Sequence, residues 1–239
     1  MAIPELIMKC RDVVSSRGNY LLIAGESGTG KTQLIRTAPN LQRTLVIDLE
    51  NGLRTICDVD VDVAVCNTVT EFEEIIEYTK SSEFLGAYDL LYVDGLTALA
   101  EMVLAEQPVQ ADNKDYMTKY NVVKTKVLGW HEHFRRMPIN VVATVGIVRN
   151  KNTGLFGFMV PGALSSKLNY LPDFVCATRV TETETNELLY GLQFCKQSPY
   201  EFTKARDPHN ALEPFEEPNL AGIFSKLEAS DKQTESAAQ

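Results

Sequence analysis

A stretch of eight residues near the start of the chain constrains the fold more than any other feature. Gly25-Glu26-Ser27-Gly28-Thr29-Gly30-Lys31-Thr32 matches G-x-x-x-x-G-K-[ST], the pattern of a phosphate-binding loop. Its glycines permit a tight turn in which successive backbone N–H groups point at a phosphate. Lys31 would then reach the β and γ oxygens of a nucleoside triphosphate, and the Thr32 hydroxyl would ligate Mg²⁺. The loop therefore predicts a site for a nucleoside triphosphate and Mg²⁺.

The residues around this loop fit a phosphate site at the junction of a strand and a helix. The apolar run 20–24 is typical of a short buried strand, and residues 33–36 are predicted to begin a helix whose dipole favours an anion. Further along, apolar runs alternate with helical patterns, which indicates a largely parallel α/β sheet flanked by helices. The predicted strands of this part are residues 20–24, 44–49, 61–66, 89–93 and 139–147.

The predicted helices lie between these strands, and the pattern changes near the end of the chain. Residues 70–78 form an amphipathic pattern in which Glu73 follows Thr70 by three residues, as in a capping box. Two further helices are predicted over 96–104 and 116–137. Residues 174–180 and 188–194 are typical of antiparallel strands joined by a polar turn, so we expect an antiparallel C-terminal extension of the sheet.

Length, charge and composition limit the remaining possibilities. The 239 residues suffice for one domain, which we place at 1–224, and the polar segment 225–239 is predicted to be a disordered tail. A net charge of −9 argues against non-specific nucleic-acid binding over the whole surface. The sequence contains neither a long apolar run nor a signal-peptide pattern, so we expect a cytoplasmic protein without a membrane partner. Five scattered cysteines suggest neither a disulfide framework nor a zinc site.

The run Leu90-Leu91-Tyr92-Val93-Asp94 supplies the acidic group that a triphosphate site needs for its metal. An apolar strand that ends in an aspartate, downstream of a phosphate loop, is the expected form of a Walker B motif. Asp94 is therefore predicted to hold the magnesium together with Thr32. The alternative is that Asp94 merely caps the helix that begins near Leu96.

Two other segments resemble motifs of RecA-type ATPases. Residues 44–50 end in Asp48-Leu49-Glu50 and resemble the strand whose acid-x-Glu pair carries the glutamate that polarises the attacking water. This resemblance implies that Glu50 is the catalytic base, while Asp48 either assists or caps. Lys204-Ala205-Arg206 resembles the K-x-R element that places cations on the γ-phosphate of a neighbouring subunit. The alternative for Lys204 and Arg206 is a solvated basic turn.

The order of these motifs over residues 18–207 is most similar to phage AAA-type nucleotide-binding proteins with a RecA-like core, a group that includes phage single-strand annealing ATPases. The resemblance implies a RecA-like P-loop NTPase that binds and hydrolyses Mg-ATP. It also implies a homo-oligomer, as a ring or filament, that acts on single-stranded DNA in phage recombination or replication. A single-strand-binding or replication protein is a further expected partner, and the host cytoplasm is the expected location.

The strand after Walker B and the loop that follows it bear on DNA binding. RecA-like enzymes usually end this strand with Gln or His as a γ-phosphate sensor, but the run 142–147 offers only Thr144. The loop 149–162 occupies the position of the second DNA-binding loop of RecA-like proteins. Its cations Arg149 and Lys151 could contact phosphates, and Phe156 and Phe158 could stack on bases. An equally acceptable interpretation is a β-hairpin whose aromatic side chains pack on the core or on a neighbouring subunit.

Two rival functions stay open at this point. The protein could be a nucleotide-gated assembly factor whose partner is another protein. A small-molecule kinase is disfavoured, because no arginine-rich lid segment is evident. The tripeptide His131-Glu132-His133 does not predict a zinc site, since residues i and i+2 of a helix face apart.

Overall fold

The computed structural model describes residues 9–107 and 113–237. The strands of these residues form one mixed sheet. Their bounds are β1 Tyr20–Gly25, β2 Thr44–Asp48, β3 Asp62–Val65, β4 Leu90–Asp94, β5 Asn140–Arg149, β6 Phe156–Phe158, β7 Phe174–Glu182, β8 Leu188–Gln193, β9 Lys204–Ala205 and β10 Phe215–Glu216.

The order of the strands across the sheet is β10-β8-β7-β1-β5-β4-β2-β3. Neighbours from β7 to β3 run parallel, while β8 and β10 are added antiparallel at the β7 edge. β6 pairs antiparallel with β5, and β9 pairs antiparallel with β7. The prediction of a largely parallel sheet with an antiparallel C-terminal extension is confirmed.

Helices cover both faces of the sheet. The α-helices are α1 Cys10–Ser15, α2 Val69–Tyr78, α3 Ser82–Ala87, α4 Leu96–Ala105, α5 Asn113–Arg136 and α6 Leu220–Ala237. One apolar cluster joins the sheet to α2, α4 and α5, and the other joins its opposite face to α6. Leu22 belongs to the first cluster and its neighbours Leu21 and Ile23 to the second. β1 is thus buried on both faces, which explains its unbroken apolar run.

Two local predictions about helix starts were wrong. The capping box of α2 is formed by Thr68 and Glu71, not by Thr70 and Glu73, because the helix begins at Val69. The segment after the phosphate loop is a short 3-10 helix, Thr32–Thr37, rather than the start of an α-helix. A 3-10 turn of this length has a smaller dipole than a long α-helix, so the loop and its side chains must supply most of the positive potential for a phosphate.

The last helix changes the predicted end of the domain. α6 runs through the boundary that we placed at residue 224, and Leu227 and Ser230 are buried. The prediction of a disordered tail is therefore wrong for these residues, since they pack on the domain. None of the helices in the described ranges combines the length and the apolar character that crossing a bilayer requires.

Candidate active site

The phosphate-binding loop lies at the carboxyl end of the central strand β1. Gly28 and Gly30 both have positive φ angles, 76° and 90°, which let the chain turn tightly into Lys31. The loop lines a cleft of about 1010 Å³, to which all eight residues Gly25, Glu26, Ser27, Gly28, Thr29, Gly30, Lys31 and Thr32 contribute. A cleft of this volume is in the range that accommodates a small-molecule ligand or cofactor.

The side chain of Lys31 folds back over the first residues of the phosphate loop. Its Nζ donates to the carbonyl oxygens of Gly25, at 3.0 Å, and Glu26, at 2.8 Å. Burial lowers the pKa of this ammonium, and the charges of Glu50 and Asp94 act in the opposite direction. A partly desolvated cation at the loop gives the cleft a point charge for a phosphate group.

Asp94 and Thr32 lie in direct contact although 62 residues separate them. The Thr32 hydroxyl donates to Asp94 Oδ2 at 2.7 Å, and the Thr144 hydroxyl donates to Asp94 Oδ1 at 2.6 Å. Burial raises the pKa of Asp94, while these two hydrogen bonds lower it. The pair presents hard oxygen atoms of the kind that Mg²⁺ prefers as ligands. In the described residues no group of three or more His, Cys, Asp or Glu side chains could hold a metal by itself.

Glu50 lies in the turn after β2, beside the strand that carries Asp94. Its side chain packs so closely on Gly95 that a Cβ there would be 2.6 Å from Glu50 Cγ. The carboxylate remains accessible to water. Partial desolvation at the cleft wall is the main cause that raises the pKa of Glu50 above its ordinary value, and the charge of Asp94 is the second. Asp48 Oδ1 accepts the backbone N–H of Glu50 at 3.1 Å, so Asp48 is a capping residue of this turn.

The comparison with protein-family models agrees with this geometry. Residues 17–207 match the family model described as an AAA domain. The chain belongs to the AAA domain family. No curated protein matches the chain. Membership supports nucleotide binding and ATPase activity for this AAA domain.

Lys204 and Arg206 lie at the opposite end of the AAA domain's sheet from the phosphate loop. Lys204 pairs with Val175 of β7, and Val175 in turn pairs with Leu22 in the first half of β1. Since the phosphate loop follows the carboxyl end of β1, neither cation reaches the phosphate site of its own chain. Arg206 binds the carboxylate of Asp173 and Lys204 binds backbone carbonyls, so neither side chain lies free in a turn.

Asp173 organises this group of cations. Arg17 donates to both of its carboxylate oxygens, at 2.7 and 3.0 Å, and Arg206 donates to Oδ1 at 3.1 Å. Lys204 donates to the carbonyl oxygens of Asn169 and Tyr170. Burial and the nearby charge of Arg206 lower the pKa of Lys204 to about 8. Local sequence patterns do not predict the contacts of Asp173, because its partners Arg17 and Arg206 are 156 and 33 residues away.

The segment predicted as a DNA-binding loop is a β-hairpin formed by β5 and β6. Phe158 is buried at 4% exposure against Phe202, and Phe156 stacks on Tyr200 with ring centroids 5.0 Å apart. The hairpin interpretation of this segment is therefore confirmed. Phe158 is unavailable to a base in this conformation, which contradicts its prediction as a stacking residue.

The cations of the hairpin have different surroundings from its aromatic side chains. Arg149 is exposed and donates to the Gly154 carbonyl at 3.0 Å, and Lys151 is exposed near the tip. These two side chains are accessible to a phosphate backbone without any rearrangement of the hairpin.

Thr144→Val is expected to raise the Mg²⁺ concentration needed for half-maximal ATPase activity several-fold. The Thr144 hydroxyl both donates to Asp94 and accepts the Gly95 N–H at 2.9 Å, so valine leaves two buried polar groups without this partner. Such a loss costs about 1–3 kcal/mol of stability. A Mg²⁺ titration and a melting curve would measure both effects, with Thr144→Ser as the control that keeps the hydroxyl. An unchanged Mg²⁺ dependence in Thr144→Val would show that Asp94 does not need this hydrogen bond.

Proposed function

We propose that this AAA domain binds Mg-ATP and hydrolyses the bond between its β- and γ-phosphates, which releases ADP and inorganic phosphate. The observation that carries the proposal is the contact between Thr32 and Asp94 beside Lys31, at the carboxyl end of β1. In this proposal Lys31 binds the β and γ oxygens, and Thr32 and Asp94 hold the metal. Mg²⁺, when bound, neutralises charge that develops on the phosphates.

Glu50 is the proposed general base. A base for this reaction must reach water and must be ionised at the working pH. Glu50 meets the first condition because its carboxylate is accessible at the cleft. Its raised pKa brings it closer to the range in which a carboxylate accepts a proton effectively. Asp48 is bonded to the backbone of its own turn and is less suited to the role.

Lys204 and Arg206 are proposed to act on the nucleotide of a neighbouring subunit in a homo-oligomer, a ring or a filament. Two observations support this arrangement: both cations lie at the amino end of the sheet, away from their own phosphate loop, and the Arg206 side chain is 41% exposed. Cations supplied to a transferred phosphoryl group stabilise the charge of the transition state.

Single-stranded DNA is the proposed effector of the ATPase, in phage recombination or replication. The exposed Arg149 and Lys151 support a contact with its phosphates, and the resemblance of the motif order supports the biological setting. The packed aromatic side chains of the hairpin favour the second candidate, a nucleotide-gated assembly factor whose partner is another protein, such as a replication protein.

An ATPase assay with and without single-stranded DNA, with analysis of the products, separates these functions. We expect ADP and inorganic phosphate as products and a higher rate with DNA. ADP formation that ignores DNA would favour the assembly factor. A phosphorylated small molecule would overturn both in favour of a kinase, and no nucleotide turnover under any condition would overturn the proposal of hydrolysis.

Mixing two inactive variants tests the proposed role of Arg206. Arg206→Ala should bind ATP normally and hydrolyse it poorly, because the transition-state charge lacks its partner. Combined in equal amounts with Lys31→Ala, it should regain activity, since about one quarter of randomly formed head-to-tail interfaces pair an intact loop with an intact arginine. Turnover of the mixture against each variant alone is the measurement. Absence of recovery despite demonstrated co-assembly would exclude a shared site.

A further inference from the structure

The strand order indicates on which side of the phosphate loop the nucleoside of a bound nucleotide would lie. β5, β4 and β2 lie on one side of β1, and β7 and β8 lie on the other. Asp94 ends β4 and Glu50 follows β2, so the metal and the γ-phosphate belong on that side of the loop. A triphosphate is a linear chain, and its nucleoside must therefore leave the loop on the opposite side, over β7 and β8. This inference rests on the proposed binding of Mg-ATP.

The phosphate loop is in close contact with β7 on that side. A Cβ on Gly25 would lie 1.9 Å from Thr178 Oγ1, so only glycine permits this approach. Thr178 Oγ1 also forms a hydrogen bond of 2.6 Å with Thr29 Oγ1 of the loop. The ladder that β7 forms with β8 is therefore fixed against the loop, and its side chains form a wall of the cleft.

Tyr190 is the aromatic side chain of this wall. It pairs across the ladder with Val180, and because alternate residues share a face, it lies on the same face as Leu192 and Thr178. Its Cδ1 is 3.9 Å from the position of a Cβ on Gly30. The side chain is 46% exposed and lines the cleft together with Leu192 and Pro218. A partly exposed aromatic ring thus lies beside the phosphate loop, on the side where we place the nucleoside.

We propose that Tyr190 is the stacking platform for the nucleobase of the bound nucleotide. Stacking recognises the flat face of a base, which all bases share, so this contact favours purines by their larger area and discriminates little between adenine and guanine. Tyr190 would then set how tightly the nucleoside binds, whereas the phosphate loop binds the triphosphate.

Calorimetry with ATP, GTP and inorganic tripolyphosphate, each with Mg²⁺, tests the proposal on the whole chain. Tripolyphosphate has the phosphates of ATP and no base. Tyr190→Ala should raise the Kd for ATP and for GTP about tenfold and leave the Kd for tripolyphosphate unchanged. Tyr190→Phe keeps the ring and should bind all three as the unaltered protein does. Leu189→Ala is the matched control, since Leu189 is 58% exposed on the opposite face of the same strand.

Other results would overturn the assignment of Tyr190. ATP binding by Tyr190→Ala with unchanged affinity would place the base elsewhere. An equal loss for ATP and tripolyphosphate would mean that Tyr190 acts by supporting the loop. If the unaltered protein bound none of the three, the proposed nucleotide function would fail, and the base platform with it.

Discussion

Replacing Glu50 with glutamine is expected to lower kcat for ATP hydrolysis about 10²- to 10⁴-fold while ATP still binds. The amide keeps the size of the side chain and its packing on Gly95, but it cannot accept a proton from water. Steady-state turnover together with calorimetric affinity would measure the two effects separately. Glu74→Gln makes the same chemical change on an exposed residue of α2 and should leave kcat unaltered.

The pH dependence gives a second test of the same residue. A base must be deprotonated to act, so activity should fall as the pH decreases through the pKa of Glu50. Since desolvation and the charge of Asp94 raise this pKa, the acid limb of the kcat/KM profile should lie at a higher pH than an unperturbed glutamate would give. Near-normal turnover in Glu50→Gln would assign the base to another acid, Asp48 first among them.

Lys31→Ala is expected to weaken ATP binding about a hundredfold and to remove detectable hydrolysis. The variant loses the only side-chain cation of the phosphate loop, and the remaining backbone N–H groups carry partial charges alone. Calorimetry measures the affinity, and a melting curve tests whether the fold survives the loss of the hydrogen bonds to Gly25 and Glu26.

A companion variant separates the charge of Lys31 from its apolar stem. Lys31→Met keeps most of the stem but loses the same hydrogen bonds, so it should match Lys31→Ala in ATP affinity and melt between Lys31→Ala and the unaltered protein. Lys80→Met removes an exposed lysine that pairs with Glu77 and should change neither property. Unchanged ATP affinity in both Lys31 variants would remove this lysine from the site.

The sequence predicted the parts of the site that depend on local pattern. The phosphate loop and the strand ending at Asp94 each occupy a few consecutive residues, and their backbone geometry follows from glycine positions and apolar runs. The sequence also singled out Thr144 as the one polar residue of the run 142–147, although only the structure shows its hydrogen bond to Asp94.

What the sequence did not predict depends on contacts between distant segments. Tyr190 reaches the phosphate loop only because β8 pairs with β7 and β7 lies beside β1. The sequence predicted residues 174–180 and 188–194 as antiparallel strands joined by a turn, but it did not predict that the first of them lies beside β1. Phe158 lies in a loop whose cations and aromatic residues are typical of base stacking, so it was predicted to stack on a base. Its burial against Phe202 was not predictable, because Phe202 is more than forty residues away.

The central place of β1 also governs when the cleft can form during synthesis. β1 is the first strand of the described residues, yet its neighbours are β5 and β7, which begin at Asn140 and Phe174. A ribosome that has made the phosphate loop must add most of the domain before either neighbour is available. Such non-local pairing slows folding, because the entropy of closing the long loops is lost before the contacts form. The nascent chain therefore carries the loop long before it can hold a nucleotide.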